Sequence, residues 1–119
     1  STANDYARFL QLTLNGGELD GQRILSRKTI ELMTTDHLGG IPFRDGQGFG
    51  LGFFVVTDLG ERGILGSERE YGWGGAYHTT YWVDPAEELV VVYLTQLIPA
   101  QGIDDYSKLR SGIYQAIID

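Results

Sequence analysis

Cysteine is absent from this 119-residue chain, which excludes disulfides, zinc–thiolate sites and a cysteine nucleophile. Basic residues are few and unclustered: 9 Lys and Arg against 16 Asp and Glu give a formal net charge of −7. Such a field repels a phosphate backbone. No apolar run approaches the roughly 20 residues that cross a bilayer, and the N-terminus lacks the pattern of a signal peptide. We therefore expect neither nucleic-acid binding nor a membrane span, and the compartment stays open, cytoplasmic or exported.

What is present is an ordinary globular mixture, with 42% apolar and 21% charged residues. The length fits one small domain, and no repeat or linker divides the chain, so we expect a single domain over residues 1–119. Glycine is the exception: 17 residues exceed the usual share. They concentrate at 46–52 and 72–75, which indicates special backbone geometry there. An initiator Met is also missing, so we expect an upstream segment that was removed or that lies on another chain.

Helical signals occur at both ends of the chain. Thr2-Ala-Asn-Asp5 resembles a capping box and Asn15-Gly16 is a plausible helix stop, while Ser26 is placed to cap a second, shorter helix. Residues 104–119 are predicted to form a C-terminal helix. Its apolar stripe consists of Tyr106, Leu109, Ile113 and Ile117.

Between these helices the apolar period changes to two, which indicates strands. We predict strands at 48–57, 77–83 and 89–95, with 60–75 mostly loop. The last strand is apolar on both faces, so it is expected at the centre of its sheet. The fold class is therefore α+β: an antiparallel sheet of three strands with N- and C-terminal helices packed on it.

Gly48-x-Gly-x-Gly52 superficially matches a nucleotide-binding loop. A dinucleotide fingerprint needs its glycines between a strand and a helix, so that the helix N-terminus meets phosphate. Here they fall within a predicted strand, all on one face. They are better explained by close approach of another backbone.

Neither histidine has a ligand-type partner nearby in the sequence, so no metal or cofactor is predicted. His37 is interpreted as a solvated loop residue. His78 follows a glycine-rich turn and begins a predicted strand, which leaves a functional and a structural role both open. The acid pairs 68/70, 87/88 and 104/105 lie in turns or at a helix start, where the helix dipole alone explains the last pair.

The segment 70–85, Glu-Tyr-Gly-Trp-Gly-Gly-Ala-Tyr-His-Thr-Thr-Tyr-Trp-Val-Asp-Pro, carries the most information. Glycines at 72, 74 and 75 permit a tight turn that exposes backbone N–H groups, and such groups beside a cleft stabilise an oxyanion. Trp73 is an unusual residue for a solvated loop. We therefore expect it to pack or to contact a ligand.

Trp73-Gly-Gly75 followed by Val83-Asp-Pro85 resembles the third motif of the class C β-lactamase-related serine hydrolases, which include family VIII carboxylesterases and D-amino-acid-releasing peptidases. The opening segment 1–9, Leu25-Ser26 with Met33, the glycines at 48–52 and the strand 90–95 agree in order. The resemblance covers nearly the whole chain and implies the C-terminal part of a β-lactamase/transpeptidase-like fold.

The resemblance also assigns roles to single residues. Trp73 would line the acyl pocket, Gly74 and Gly75 would permit close substrate approach, and the Ala76 N–H would be an oxyanion donor. Relatives usually carry small residues where this chain has Tyr77 and His78, a departure that would narrow the pocket or add a polar contact.

The nucleophile of that family, the serine of Ser-x-x-Lys, is missing from these residues. Ser1, Ser26, Ser67, Ser107 and Ser111 all lack a lysine three positions later. The second motif, Tyr-x-Asn or Ser-x-Asn, also fails at Asn4 and Asn15, and Lys28-Thr29-Ile30 only mimics Lys-Thr-Gly. No catalytic residue is therefore predicted in this chain.

Two hypotheses remain. In the first, the chain is part of a serine hydrolase acting on a small-molecule ester, amide or β-lactam. The N-terminal part with the nucleophile is then lost to cleavage or truncation, or is present on a separate chain. In the second, it is a non-catalytic domain derived from that fold, which binds a ligand or associates with itself. Both predict an exposed apolar strand edge and association.

Overall fold

The computed structural model describes residues 2–99 and 102–118. Its helices are α1 (Ala3–Leu14), α2 (Arg27–Met33), α3 (Leu59–Arg62) and α4 (Asp105–Gln115). A small hairpin joins α1 to α2 and consists of β1 (Glu18–Leu19) and β2 (Gln22–Arg23). The main sheet contains β3 (Gln47–Phe49), β4 (Phe54–Val56), β5 (Tyr71–Gly74), β6 (Thr80–Asp84) and β7 (Leu89–Tyr93).

The predicted caps of the first two helices are confirmed. Thr2 Oγ1 accepts a hydrogen bond from the Asp5 N–H at 3.1 Å. Helix α1 ends at Leu14 with Asn15 as its C-cap, before Gly16, whose φ is 75°. Ser26 Oγ accepts from the Thr29 N–H at 3.0 Å. Each cap satisfies an amide that lacks an intrahelical partner.

The main sheet is an antiparallel meander in the order β3-β4-β5-β6-β7. The α+β class and the antiparallel pairing are as predicted, but the number of strands is not: the main sheet of the described residues has five strands, not three. Two separate misreadings of glycine-containing segments account for the difference.

The first misreading concerns residues 48–57, which form two strands and a turn. Phe49 pairs with Phe54, and the Gly50 N–H donates to the Phe53 carbonyl at 2.8 Å. The three glycines therefore do not share one face. Close approach is nevertheless what two of them permit, because a Cβ on Gly48 would lie 2.2 Å from the Asp36 carboxyl group and one on Gly50 2.1 Å from the Met33 carbonyl oxygen.

The second misreading concerns residues 60–75, predicted mostly as loop. They contain α3 and β5, and β5 is the central strand of the five. Its sequence, Tyr-Gly-Trp-Gly, has poor intrinsic strand propensity. Pairing with β4 on one side and β6 on the other overrides that preference.

Strand β7 lies at the end of the sheet, so its expected central place is wrong for the described residues. The expectation assumed that a strand apolar on both faces must be covered on both faces. Both faces of β7 are covered, although the strand lies at the end of the sheet. Val90 and Val92 pack with the cluster that includes Leu10 of α1, whereas Leu89 and Val91 pack with the cluster that includes Leu109 of α4.

The core is thus divided between two faces of the sheet. Alternate residues of β4 and β6 point to opposite sides, as the pleat requires. The α1 face buries Leu10, Phe53, Val55, Tyr71, Tyr81 and Val83. The α4 face buries Phe54, Val56, Trp82 and Val91.

Helix α4 is confirmed in kind but is shorter than the predicted 104–119. Leu109 and Ile113 of the predicted stripe pack on the sheet. Ile117 lies beyond the last helical residue, Gln115. Residue 119 lies outside the described residues.

Candidate functional site

A cleft of about 660 Å³ opens between the sheet and the first turns of α4. Its walls come from the end of β5 and the turn after it, from β6, from α4 and from the loop that contains Ile64 and Leu65. The described residues that line it are Arg44, Gln47, Phe54, Arg62, Ile64, Leu65, Trp73, Gly74, Gly75, Ala76, Thr79, Thr80, Tyr81, Trp82, Tyr106, Ser107, Arg110 and Ser111. Four of the six predicted site residues are therefore together in one wall.

The motif Trp73-Gly74-Gly75 lies at the end of β5, where this central strand extends beyond its pairing with β4. β4 pairs with Tyr71 and Gly72 only, whereas β6 pairs as far as Gly74. The last residues of β5 are therefore free of β4 on that side. An extended substrate can hydrogen-bond to backbone exposed in this way.

The turn after β5 presents the Ala76 amide. The Gly75 N–H donates to the Thr79 carbonyl at 3.0 Å, while the Ala76 N–H makes no hydrogen bond within the described residues. A Cβ on Gly74 would lie 2.8 Å from the Thr79 carbonyl oxygen. Glycine is thus required at 74 by the hairpin itself, and the Ala76 amide remains available.

Trp73 belongs to an aromatic group at the edge of the cleft. Its ring lies edge-on to Phe49, with centroids 5.2 Å apart, and is stacked with Phe43 at 6.5 Å. The Arg44 guanidinium lies 5.1 Å from the Trp73 ring centroid, within the range of a cation–π contact. Trp73 is therefore packed as well as cleft-lining.

Tyr77 and His78 do not line the cleft. Tyr77 is 56% exposed, and its carbonyl accepts hydrogen bonds from Thr95 Oγ1 at 2.5 Å and the Leu97 N–H at 3.1 Å. His78 lies in the turn before β6 instead of beginning the strand, with φ at 70°. His78 does make a polar contact, as one of the two alternatives predicted, but the contact is with Asp105 of α4 and not with the cleft.

The His78 imidazole bonds to Asp105, the first residue of α4. Its Nε2 lies 2.7 Å from Oδ1 and 2.9 Å from Oδ2, and the Tyr93 hydroxyl donates to Oδ2 at 2.8 Å. These bonds, His78 first, hold the pKa of Asp105 below its usual value. Asp105 therefore does more than favour the helix dipole.

A buried ionic network lies beneath the cleft. Glu70 is fully buried, and Arg110 donates to both of its carboxylate oxygens, at 2.9 and 2.8 Å. Arg62 Nη1 lies 3.0 Å from Oε2, and burial lowers the pKa of Arg62. The sequence interpretation of Glu70 as a turn residue missed this role, because nothing near Glu70 in the sequence indicates a contact with Arg110, 40 positions away.

The same network fixes α4 to β6. The Tyr114 hydroxyl donates to Asp84 Oδ2 at 2.8 Å and accepts from Trp82 Nε1 at 3.2 Å. Burial raises the pKa of Tyr114. Arg110 also lies over the Trp82 ring, 4.2 Å from its centroid. Ion pairs, hydrogen bonds and an aromatic contact together attach α4 to the sheet below the cleft.

Two serines, Ser107 and Ser111, line the cleft, but neither has an activating base. Ser107 Oγ donates to Asp104 Oδ1 at 2.6 Å. Within residues 2–99 and 102–118, no serine hydroxyl is hydrogen-bonded to a lysine or histidine side chain. Among the described residues, the cleft therefore offers an amide without a hydrogen-bond partner but no serine paired with the lysine or histidine that would activate it.

The described part of the chain contains no cluster of three His, Asp or Glu side chains suited to a metal ion. None of its helices has the length and apolarity needed to cross a membrane.

Comparison with known proteins identifies this sheet and its flanking helices as part of a serine hydrolase-type fold. The chain belongs to the Beta-lactamase family, whose sequence profile matches residues 1–108. An uncharacterised protein of Mycobacterium tuberculosis (strain CDC 1551 / Oshkosh) is 40% identical over 116 residues, covering 87% of this chain and 29% of that protein.

Solved structures agree on the fold. EstCE1, described as a hydrolase with promiscuous acyltransferase activity, has a TM-score of 0.77 at 24% identity, covering 96% of this chain and 30% of its own. A Bacillus anthracis protein provisionally named as a 6-aminohexanoate-dimer hydrolase gives 0.63 at 22% identity, with coverages of 98% and 28%. The chain thus spans about 30% of the length of these proteins.

Proposed function

We propose that this chain, as a single domain, forms one wall of the active site of a serine hydrolase that cleaves an ester, amide or β-lactam through an acyl-enzyme. Trp73 bounds the acyl pocket, Gly74 and Gly75 admit the substrate, and the Ala76 N–H stabilises the oxyanion. The nucleophilic serine and its lysine come from residues outside these 119. Small-molecule substrates are the expected partners, together with the part of the protein that carries the nucleophile.

The observation that carries this proposal is the Ala76 amide, which has no hydrogen-bond partner among the described residues and lies beside the end of β5 that β4 leaves unpaired, at the edge of a cleft. Preorganised amides aimed at the developing charge lower the barrier to acyl transfer. Family membership makes such a reaction the natural use of this geometry. Tyr77 and His78 would act indirectly, since neither touches the cleft.

The test replaces Ala76 in a form of the protein that includes the nucleophile-bearing part. Ala76→Pro removes the N–H, whereas Ala76→Ser retains it at similar size. We expect kcat for p-nitrophenyl butyrate or a chromogenic cephalosporin to fall about 10²- to 10³-fold in the proline variant. Equal activity of the two folded variants would contradict the oxyanion role.

The 119 residues alone should not hydrolyse these substrates above background. Turnover that disappears on replacing Ser107 or Ser111 by alanine would show that the nucleophile lies in the cleft after all. That outcome would overturn the division of roles proposed here.

A second candidate is a non-catalytic, ligand-binding or self-associating domain. The lining of the cleft favours it, because aromatic side chains and arginines suit the binding of a small ligand without any covalent step. Native mass distinguishes the two: a second, different polypeptide in the complex supports the hydrolase, and a multiple of 13.2 kDa supports self-association.

A further inference from the structure

We propose that His78 is a positioning residue: through Asp105 and Tyr106 it fixes the turn that carries the Ala76 amide at a set separation from α4, and so holds the mouth of the cleft open. The inference deepens the proposed function, on which its catalytic consequence rests. The clamp itself, defined as His78, Asp105, Tyr106 and Tyr93, is a property of the fold.

The backbone of His78 is held in a conformation that needs support. Its φ of 70° lies in the left-handed region, which non-glycine residues adopt infrequently. Its N–H donates to the Gly75 carbonyl at 3.2 Å, and its carbonyl accepts from the Tyr106 hydroxyl at 2.8 Å. The turn is therefore closed internally and attached to α4 by its main chain.

The side chain makes a second attachment to the same helix. Because a carboxylate only accepts, His78 Nε2–H donates to Asp105, at 2.7 and 2.9 Å from the two oxygens. The imidazole is also stacked on the Tyr106 ring, with centroids 4.1 Å apart and planes 5° from parallel. Tyr93 of β7 donates to the same carboxylate at 2.8 Å, which orients it. The groups facing the imidazole are thus one acid and two phenols.

The elements joined by this clamp are those that bound the cleft. Ala76 and Thr79 belong to the turn and line it on one side, while Tyr106 and Ser107 belong to α4 and line it on the other. The His78 side chain is only 10% exposed and lies outside the cleft. It therefore acts on the Ala76 amide through the turn and not on the substrate.

The test measures amide hydrogen exchange at Gly75 by NMR in the intact protein, because the Gly75 N–H closes the turn by donating to the Thr79 carbonyl at 3.0 Å. His78→Leu and His78→Gln are compared at neutral pH. Both variants place a non-glycine side chain at positive φ, so backbone strain is matched. Only glutamine supplies an N–H donor near the position of Nε2. We expect exchange at Gly75 to accelerate about 10- to 100-fold in the leucine variant, the ratio expected for losing one hydrogen bond to a charged group. The glutamine variant should recover most of the protection.

His37→Leu is the matched control, because His37 is the other histidine of the chain and lies in an exposed loop. Its exchange rate at Gly75 should equal that of the unaltered protein. Unchanged exchange in a folded His78→Leu protein would overturn the proposal, as would equal loss of protection in His78→Leu and His78→Gln.

Activity then tests the catalytic consequence separately. In an active form of the protein, His78→Leu should lower kcat more than it raises KM, and His78→Gln should restore kcat. If exchange responds as expected but the protein has no hydrolase activity, the clamp stands and the proposed function fails. If exchange does not respond, the clamp fails whatever the activity.

Discussion

Glu70 illustrates how much a single buried charge decides. It faces two arginines, and its removal would leave Arg62 and Arg110 close together without their shared counter-ion. Breaking a buried pair in this way costs about 3–5 kcal/mol. We therefore expect Glu70→Gln to lower the free energy of unfolding by that order in urea denaturation.

Glu68→Gln is the matched control for this substitution. Glu68 is exposed and accepts one bond, from the Leu59 N–H at 3.3 Å. Its replacement should change the free energy of unfolding by no more than about 0.5 kcal/mol. Similar losses in both variants would mean that the network beneath the cleft contributes no special stability.

Asp105 gives a prediction for acid pH. Its folded pKa is lowered, chiefly by the bond from His78, so its contribution to stability is complete above the unfolded pKa of about 3.9 and is lost as the pH falls through the lower folded value. Asp105→Asn should therefore destabilise the protein at pH 7 and converge with the unaltered protein in acid. Thermal unfolding at pH 7, 5 and 3 checks this, and a difference that stays constant with pH would contradict it.

Residue-level prediction from the sequence succeeded where the signal was local and failed where it was not. The motif 73–76 was found because glycines and a tryptophan mark it within a few positions, and the structure brings Trp73 to Ala76 into one wall of the cleft. Asp105 lies 27 positions from His78, and Arg110 lies 40 positions from Glu70. No periodicity or composition connects such residues, so these contacts follow only from the fold.

At the scale of elements, the close approach of the paired strands β5 and β6 requires glycine at position 72. A Cβ on Gly72 would lie 2.2 Å from the Tyr81 carbonyl oxygen and 2.8 Å from the Trp82 Cα. Both are backbone atoms that cannot move aside easily. Gly72→Ala should therefore lower the free energy of unfolding by about 1–3 kcal/mol or more.

Gly112 provides the opposite case within α4. Among the described residues, no atom outside the helix's own backbone lies within 4 Å of the place that a Cβ on Gly112 would occupy. Alanine is favoured over glycine in a helix by about 0.8–1.0 kcal/mol, so Gly112→Ala should stabilise the protein in the same urea titration. A gain from Gly72→Ala, or a large loss from Gly112→Ala, would show that the β5–β6 and α4 packing differs from that described.

Elements with explicit end signals were the ones predicted well. The caps at Thr2 and Ser26 defined their helices, whereas β5 was missed because two of its four residues are glycine. The position of β7 was misjudged for a different reason. Apolar faces on both sides indicate cover, and cover here comes from α1 and α4 at the end of the sheet, which a strand pattern cannot distinguish from a central place.

At the scale of the whole molecule, apolar side chains accumulate around the end of β7. Leu94, Leu97 and Ile98 are all exposed, and within the described residues β7 pairs on one side only. Unpaired edges of this kind favour association. We expect light scattering to give a native mass above 13.2 kDa, and Leu94→Lys to reduce it. A strictly monomeric protein at high concentration would contradict this expectation.

The meander has a kinetic consequence. Every pairing in the main sheet joins strands that are consecutive in the chain, and the longest connection, residues 57–70, contains a helix of its own. Low contact order of this type shortens the search for the native topology, since little loop entropy is lost before each new pairing is rewarded. We therefore expect the hairpins of the main sheet to form one after another during refolding. The packing of α1 on β7 joins segments far apart in the chain, so we expect it to form last.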